Sequence, residues 1–183
     1  MNFLFYLLCS FVLTVNAWAS IGNVILHEGT GAVERTDGEE AVTEIDLDIF
    51  SYDTIKTGNG KTAIEFVDDT RVDVTQHSKL IIDEFVYDPN AKTGKLSLKA
   101  SLGTVRYASG QIAKNSRQDV LIQTPTATIG VRGTDFAMTI DEIGSSTITS
   151  HSGGHSVQST YEASDIKSRR RHDQQFVDCQ QAN

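Results

Sequence analysis

His151 and His155 stand four residues apart, and on a helix that interval would put two imidazoles on one face, ready for a metal. Here they bracket Ser152-Gly153-Gly154, between Thr147-Ile148-Thr149 and Ser156-Val157-Gln158, so the reading is a hairpin turn flanked by two surface histidines. Cross-strand imidazoles can share a metal, but this pair needs a third ligand, for which His27 and His77 are the candidates. Asp46, Asp48 and Asp53 suggest an oxygen-donor cation site, yet Ile45 to Phe50 supplies neither a dense series of donors nor a turning glycine. The alternation Glu44-Ile45-Asp46-Leu47-Asp48-Ile49 reads more simply as a strand with an acidic wet face. No Gly-x-Ser-x-Gly elbow is present, Cys179 lies in a polar tail where nothing would hold it against a base, and no glycine loop is built to cradle phosphate. The expectation is a non-enzyme without catalytic residues, metal or cofactor, with metal binding through His151 and His155 kept as an alternative function.

The elements that would hold these side chains are strands. Ile64 and Phe66 alternate with Glu65, and after Asp68-Asp69 the pattern resumes as Val72 and Val74 between Arg71 and Asp73, which reads as a hairpin. Leu96 and Leu98 sit among Lys95, Ser97 and Lys99, and Val105 and Tyr107 among Thr104 and Arg106. Such alternation gives each strand one dry and one wet face. Gly58-Asn59-Gly60, Asp68-Asp69, Asp88-Pro89-Asn90, Ser109-Gly110 and Ser152-Gly153-Gly154 supply turn chemistry at short intervals. Many short strands with frequent turns define an all-β domain, with room for one short helix or loop between Ser109 and Gln118.

The first residues read differently. Phe3 to Val15 is a compact apolar run followed by Ala17-Trp18-Ala19, the pattern of an export signal cleaved between Ala19 and Ser20. The run is shorter than the roughly 20 apolar residues that cross a bilayer. Cys9 lies inside this run behind the bulky Leu8, which argues against lipidation, and cleavage would leave Cys179 as the single thiol. The domain plan is therefore a signal over residues 1–19, a β domain over 20–160 and a polar, partly basic mobile tail over 161–183 containing Arg169-Arg170-Arg171. The net charge of −8 resides in the β domain and opposes binding to nucleic acid.

The most distinctive segment is Thr124-Pro125-Thr126-Ala127-Thr128-Ile129-Gly130-Val131-Arg132-Gly133-Thr134-Asp135-Phe136. Pro125 withholds a backbone donor and must end a strand or lie at its edge. Gly130 and Gly133 permit bends on either side of Arg132, a lone cation expected to pair with Asp135 or with an acid from another strand. This segment resembles the signature of FecR-like domains, the extracytoplasmic module named for the ferric citrate uptake regulator. Upstream, Asp53-Thr54-Ile55-Lys56-Thr57-Gly58, Ala63 to Thr70 and Leu102-Gly103-Thr104-Val105-Arg106 look like further pieces of that pattern.

The resemblance implies a solenoid-like module of short stacked hairpins. It also implies that Thr124, Pro125, Thr126, Gly130, Arg132, Gly133, Thr134, Asp135 and Phe136 serve the fold rather than a reaction. Regulators of this type cross the inner membrane and control a sigma factor through a cytoplasmic segment; neither part is visible here, so that role is not carried over. The expected function is a periplasmic or secreted, non-catalytic binding or signalling module that engages a protein or a cell-envelope component. The alternative is a self-associating structural protein of the envelope or matrix, with Cys179 available between chains.

Overall fold

Isoleucine, leucine and valine at every second position become the core: Ile64, Val72, Val74, Leu96, Leu98 and Val105 are fully buried, whereas Glu65 and Arg71 between them face water. The structure is a computed structural model, and it describes residues 19–115 and 119–159; the side chains of Arg132, Thr134 and residues 150–159 are not described. The proposed export signal up to Trp18 and the tail over 161–183 lie outside the described residues.

The strands are β1 (Gly22–Glu34), β2 (Glu40–Val42), β3 (Asp48–Ile49), β4 (Thr54–Phe66), β5 (Arg71–Val74), β6 (Lys79–Asp88), β7 (Thr93–Ala108), β8 (Val120–Gln123), β9 (Ala127–Ile140) and β10 (Ser146–Ser159), with one short helix, α1 (Gln111–Asn115). They form one sheet in the order β10-β9-β8-β7-β5-β4-β1-β2, with β3 on β1 and β6 between β4 and β7. All ladders are antiparallel except β7 with β8.

Several strands are longer than the sequence suggests, because they bend and serve two layers. β4 gives its first residues, Thr54–Lys56, to β6 and its last, Thr62–Glu65, to β5. β7 repeats the division, with β6 along its first part and β5 along Val105–Ala108, while its other side meets β8 and then β9. The bends fall at glycines in left-handed conformations: Gly29 opposite Gly60 in the β1–β4 ladder, Gly103 in β7 and Gly133 in β9. Bulges and glycines are how a sheet turns a corner without losing its ladder. Across the fold the rings of Phe66 from β4 and Phe85 from β6 stack with centroids 5.3 Å apart, which closes the two layers over one core.

This barrel-like arrangement is all-β as expected, but it replaces the anticipated solenoid of stacked hairpins, because long bent strands run through both layers instead of repeating as rungs. Two expected turns are likewise corners. Gly58-Asn59-Gly60 lies inside β4, and Ser152-Gly153-Gly154 lies inside β10. The β10 corner carries two compensating register shifts against β9, one on either side of Ser152, so the ladder resumes its original register beyond them. The expected strand over Glu44–Ile49 is also corrected: Glu44–Leu47 forms a turn with Asp46 at φ 65°, Ile45 points into solvent, and only Asp48–Ile49 pairs with β1. The hairpin around Asp68-Asp69, the turn after Asp88 and the helix after Gly110 form where the sequence places them.

The link from β5 to β6 crosses between the layers beside Gly103. Thr57 Oγ1 donates to Thr75 O and accepts from Ser78 N at 3.0 Å, and Ser78 Oγ accepts from Thr104 N at 3.0 Å. A Cβ on Gly103 would lie 2.0 Å from Ser78 Oγ and 2.7 Å from Ser78 Cα, at φ 82°. Gly103→Ala therefore combines a left-handed alanine with overpacking against backbone, and should cost about 2–4 kcal/mol. Gly133→Ala, where nothing among the described residues lies within 4 Å of the added carbon at φ 62°, should bear only the left-handed penalty, about 1 kcal/mol. Urea denaturation of the two variants checks the difference, and equal losses would contradict it.

Candidate protein-interaction surface

On the outer face of the first layer, β5, β7 and β9 bring four charges into a checkerboard. Asp73 lies opposite Arg106, and Ala108 lies between Arg71 and Asp135. Arg106 donates from Nε to Asp135 Oδ1 at 3.1 Å and from its terminal nitrogen to Oδ2 at 2.6 Å, a two-point geometry suited to the planar guanidinium. The Asp135 carboxylate raises the pKa of Arg106 above its ordinary value. Arg71 Nε donates to Asp73 Oδ1 at 2.9 Å. Arg71, Asp73, Arg106 and Ala108 line a shallow depression of about 250 Å³. With Arg71 on Asp73 and Arg106 on Asp135 on an open face, the arrangement is suited to polar recognition.

The signature residues lie along the β8–β9 reversal and β9, and of them only Asp135 is part of this face. Thr124-Pro125-Thr126 makes the reversal between β8 and β9: Ala127 N donates to Thr124 Oγ1 at 3.0 Å, and Thr126 Oγ1 donates to Gly144 O at 3.1 Å. The second bond joins the start of β9 to the turn beyond its end. Gly130 sits opposite Leu121 and Ser156, Gly133 forms the β9 corner, and Phe136 is buried against Tyr107 with ring centroids 5.6 Å apart. Burial pushes the Tyr107 hydroxyl well above the ordinary tyrosine range, opposed by Thr70 and Ser109. Asp135, expected as a partner of Arg132, is held by Arg106; the side chains of Arg132 and Thr134 lie outside the described residues. Ala19 is exposed, and Ser20 Oγ donates to Gly22 O at 3.0 Å at the entry to β1.

The histidines proposed as metal ligands are distributed across the sheet. His27 is on β1, where its ring nitrogens face Thr62 Oγ1 and Gly29 O, His77 is in the β5–β6 link, and His151 and His155 are on β10, whose side chains are not described there. Among the described residues no three His, Cys, Asp or Glu side chains come together. Asp46, Asp48 and Asp53 also have separate settings: Asp46 is in a turn, Asp48 is exposed on β3, and Asp53 is buried on Arg35. Arg35 is not marked by any motif in the sequence, where its one local signal is a cation directly after the last residue of β1.

The two margins of the sheet differ. The outer edge of β1 is covered by residues 40–49 in pieces, with Thr43 N donating to Gly31 O at 3.1 Å and Asp46 N to Val24 O at 2.8 Å. At the other margin β10 runs for 14 residues and pairs only with β9 among the described residues. It contains no Asp, Glu, Lys, Arg or Pro.

Bent strands closed over one core, a polar outer face and one long edge left open among the described residues define a small all-β interaction domain. The family model described as FecR protein matches residues 53–154, more than half of the chain, and the chain belongs to the FecR family. FecR domains are non-catalytic regulatory modules of the extracytoplasmic side, so this protein is not an enzyme and its domain is of extracytoplasmic type. A solved structure titled "Cell surface anchoring domain" is similar at 32% identity over 33% of this chain and 82% of that one, with a TM-score of 0.32. No curated protein matches the chain. No helix among the described residues is long and apolar enough to cross a membrane.

Proposed function

We propose that this protein is an exported, periplasmic or secreted module that works by association with protein, and that its primary partner is another copy of itself, as a structural component of the envelope. The observation that carries this reading is the contrast between the sheet margins. Proteins blunt strand edges with short segments, charge and proline. The β1 side has such features, in β2, β3 and the acids Glu39, Glu40, Glu44, Asp46 and Asp48, whereas β10 has none of them. Adding a strand to an open edge satisfies backbone groups without requiring a pocket. In this reading the signature residues maintain the corner and the β8–β9 reversal that present β10, and no sigma-factor control is assigned.

A second reading has support from the checkerboard of Arg71, Asp73, Arg106 and Asp135, which would suit a different envelope protein as partner. Sedimentation of the purified protein in reductant separates the two. Self-association predicts dimers that grow with micromolar concentration in the absence of any other component; a monomer throughout would transfer the function to a heterologous partner.

A further inference from the structure

The open edge is bent, and that restricts what can lie along its full length. β10 pairs with β9 over Ser146–Ser150 in one layer and over Gly154–Ser159 in the other, with the corner between them. A straight strand could cover one segment only. A strand with its own corner at the same place could cover both, and a second β10 running antiparallel satisfies this when the two corners coincide.

The sequence of β10 is partly symmetric about that corner, with Ile148 against Gln158 and Ser152 against Gly154 as the unlike pairs. Around Gly153, Ser150 mirrors Ser156, His151 mirrors His155, the β-branched Thr149 and Val157 mirror each other, and Thr147 mirrors Ser159. The strand carries no formal charge from Asp, Glu, Lys or Arg, so the two copies bring no such like charges into opposition although the whole chain has a net charge of −8. On the basis of the self-association proposed above, we propose that two copies of this chain pair antiparallel through β10 about a two-fold axis at Gly153. Each layer of one copy then continues into the opposite layer of its partner, and both open edges disappear in one self-complementary contact.

Cysteine placement tests the register directly, in the chain with Cys9 and Cys179 replaced by serine. Position 153 meets its own symmetry mate, at about 4.5–5.5 Å between Cα atoms, inside the range a disulfide spans. Thr147 and its mate are separated by twelve residues of bent strand, at most about 40 Å at strand rise and far beyond the reach of a disulfide. Gly153→Cys should therefore become mostly a disulfide-linked dimer under mild oxidation. Thr147→Cys and Ser159→Cys should each still dimerise but form no disulfide alone, and should cross-link when mixed, which provides a test independent of whether Gly153 tolerates a side chain.

A protein that sediments as a dimer but cross-links in neither experiment overturns this interface and leaves self-association standing. A monomer at every concentration overturns both. Dimers that appear only when residues 160–183 are removed would make that segment of the same chain the occupant of the edge, and would overturn the assignment to a second copy.

Discussion

Replacing Arg35 by methionine should destabilise the domain by about 3–5 kcal/mol near neutral pH, because it leaves a buried carboxylate without its counter-charge. The Asp53 side chain is 2% exposed and that of Arg35 16%. Arg35 donates one terminal nitrogen to Asp53 Oδ2 and the other to Asp48 O at 2.9 Å, and its guanidinium lies over the Phe50 ring, 4.8 Å from the centroid. Asp53 Oδ2 also accepts Phe50 N at 2.8 Å, so one carboxylate fixes the tight turn from β3 into β4 and the end of β1.

Burial still raises the Asp53 pKa above its ordinary value, 3.8, against the lowering effects of the Phe50 N–H and Arg35. The folded state then binds this proton more tightly than the unfolded chain, and stability from this group falls as pH rises from 3.8 through the raised value. Without Arg35 the folded pKa climbs further. The deficit of Arg35→Met relative to the parent should therefore be largest at pH 7 and shrink as acid neutralises Asp53. Adding Asp53→Asn, which retains an acceptor for Phe50 N–H without the charge, should recover most of the loss. Urea titrations at several pH values provide the check; a deficit independent of pH would mean that Arg35 contributes packing and not charge.

Asp68→Ala is expected to be similarly damaging for a different reason. Asp68 is fully buried in the turn from β4 to β5, where Oδ1 accepts Thr70 N at 3.1 Å and Oδ2 accepts Thr70 Oγ1 at 2.8 Å and Ile112 N at 3.2 Å. Its backbone oxygen accepts Gln111 N at 2.7 Å. One side chain thus holds a turn and caps α1, whose Ile112 is buried in the core. Alanine would leave buried donors unsatisfied, at about 1–3 kcal/mol each, for a total near 3–5 kcal/mol. The neighbouring Asp69 accepts only an exposed bond from Gln111 Nε2 at 3.1 Å, so Asp69→Ala should cost under about 1 kcal/mol apart from its turn conformation. Thermal melts of the pair, with hydrogen exchange over residues 110–115, should show α1 loosened by the first change and retained in the second. Equal melting temperatures would refute the assignment.

Adjacent residues of like chemistry thus have unlike fates, and this limits what the sequence discloses about the site as well as the fold. Asp68 and Asp69 mark a turn equally well, but only the arrival of α1 from more than 40 positions later makes the first a buried acceptor. Asp53 looks like one more acid on a wet face until Arg35 meets it across the β1–β4 ladder. Arg106 and Asp135 are separated by 29 residues and become partners because β7 and β9 pair.

Alternation by itself determined the strand class and the faces. Ile64, Phe66, Val72, Val74, Leu96, Leu98, Val105 and Tyr107 all point inward, since a period of two leaves a half-buried strand no other choice. The same local chemistry determined the reversals at Asp68-Asp69, after Asp88 and at Pro125, where the chain loses ladder partners or a donor. Only the tertiary structure decided whether a glycine-rich step reverses the chain or bends it. Gly58-Asn59-Gly60, Gly103 and Ser152-Gly153-Gly154 all permit either outcome, and neighbouring strands hydrogen-bonded on both sides of each corner make bending the favourable one. Those corners convert an expected stack of hairpins into two layers around one core, and they place β10 at its margin with an edge that is unpaired among the described residues.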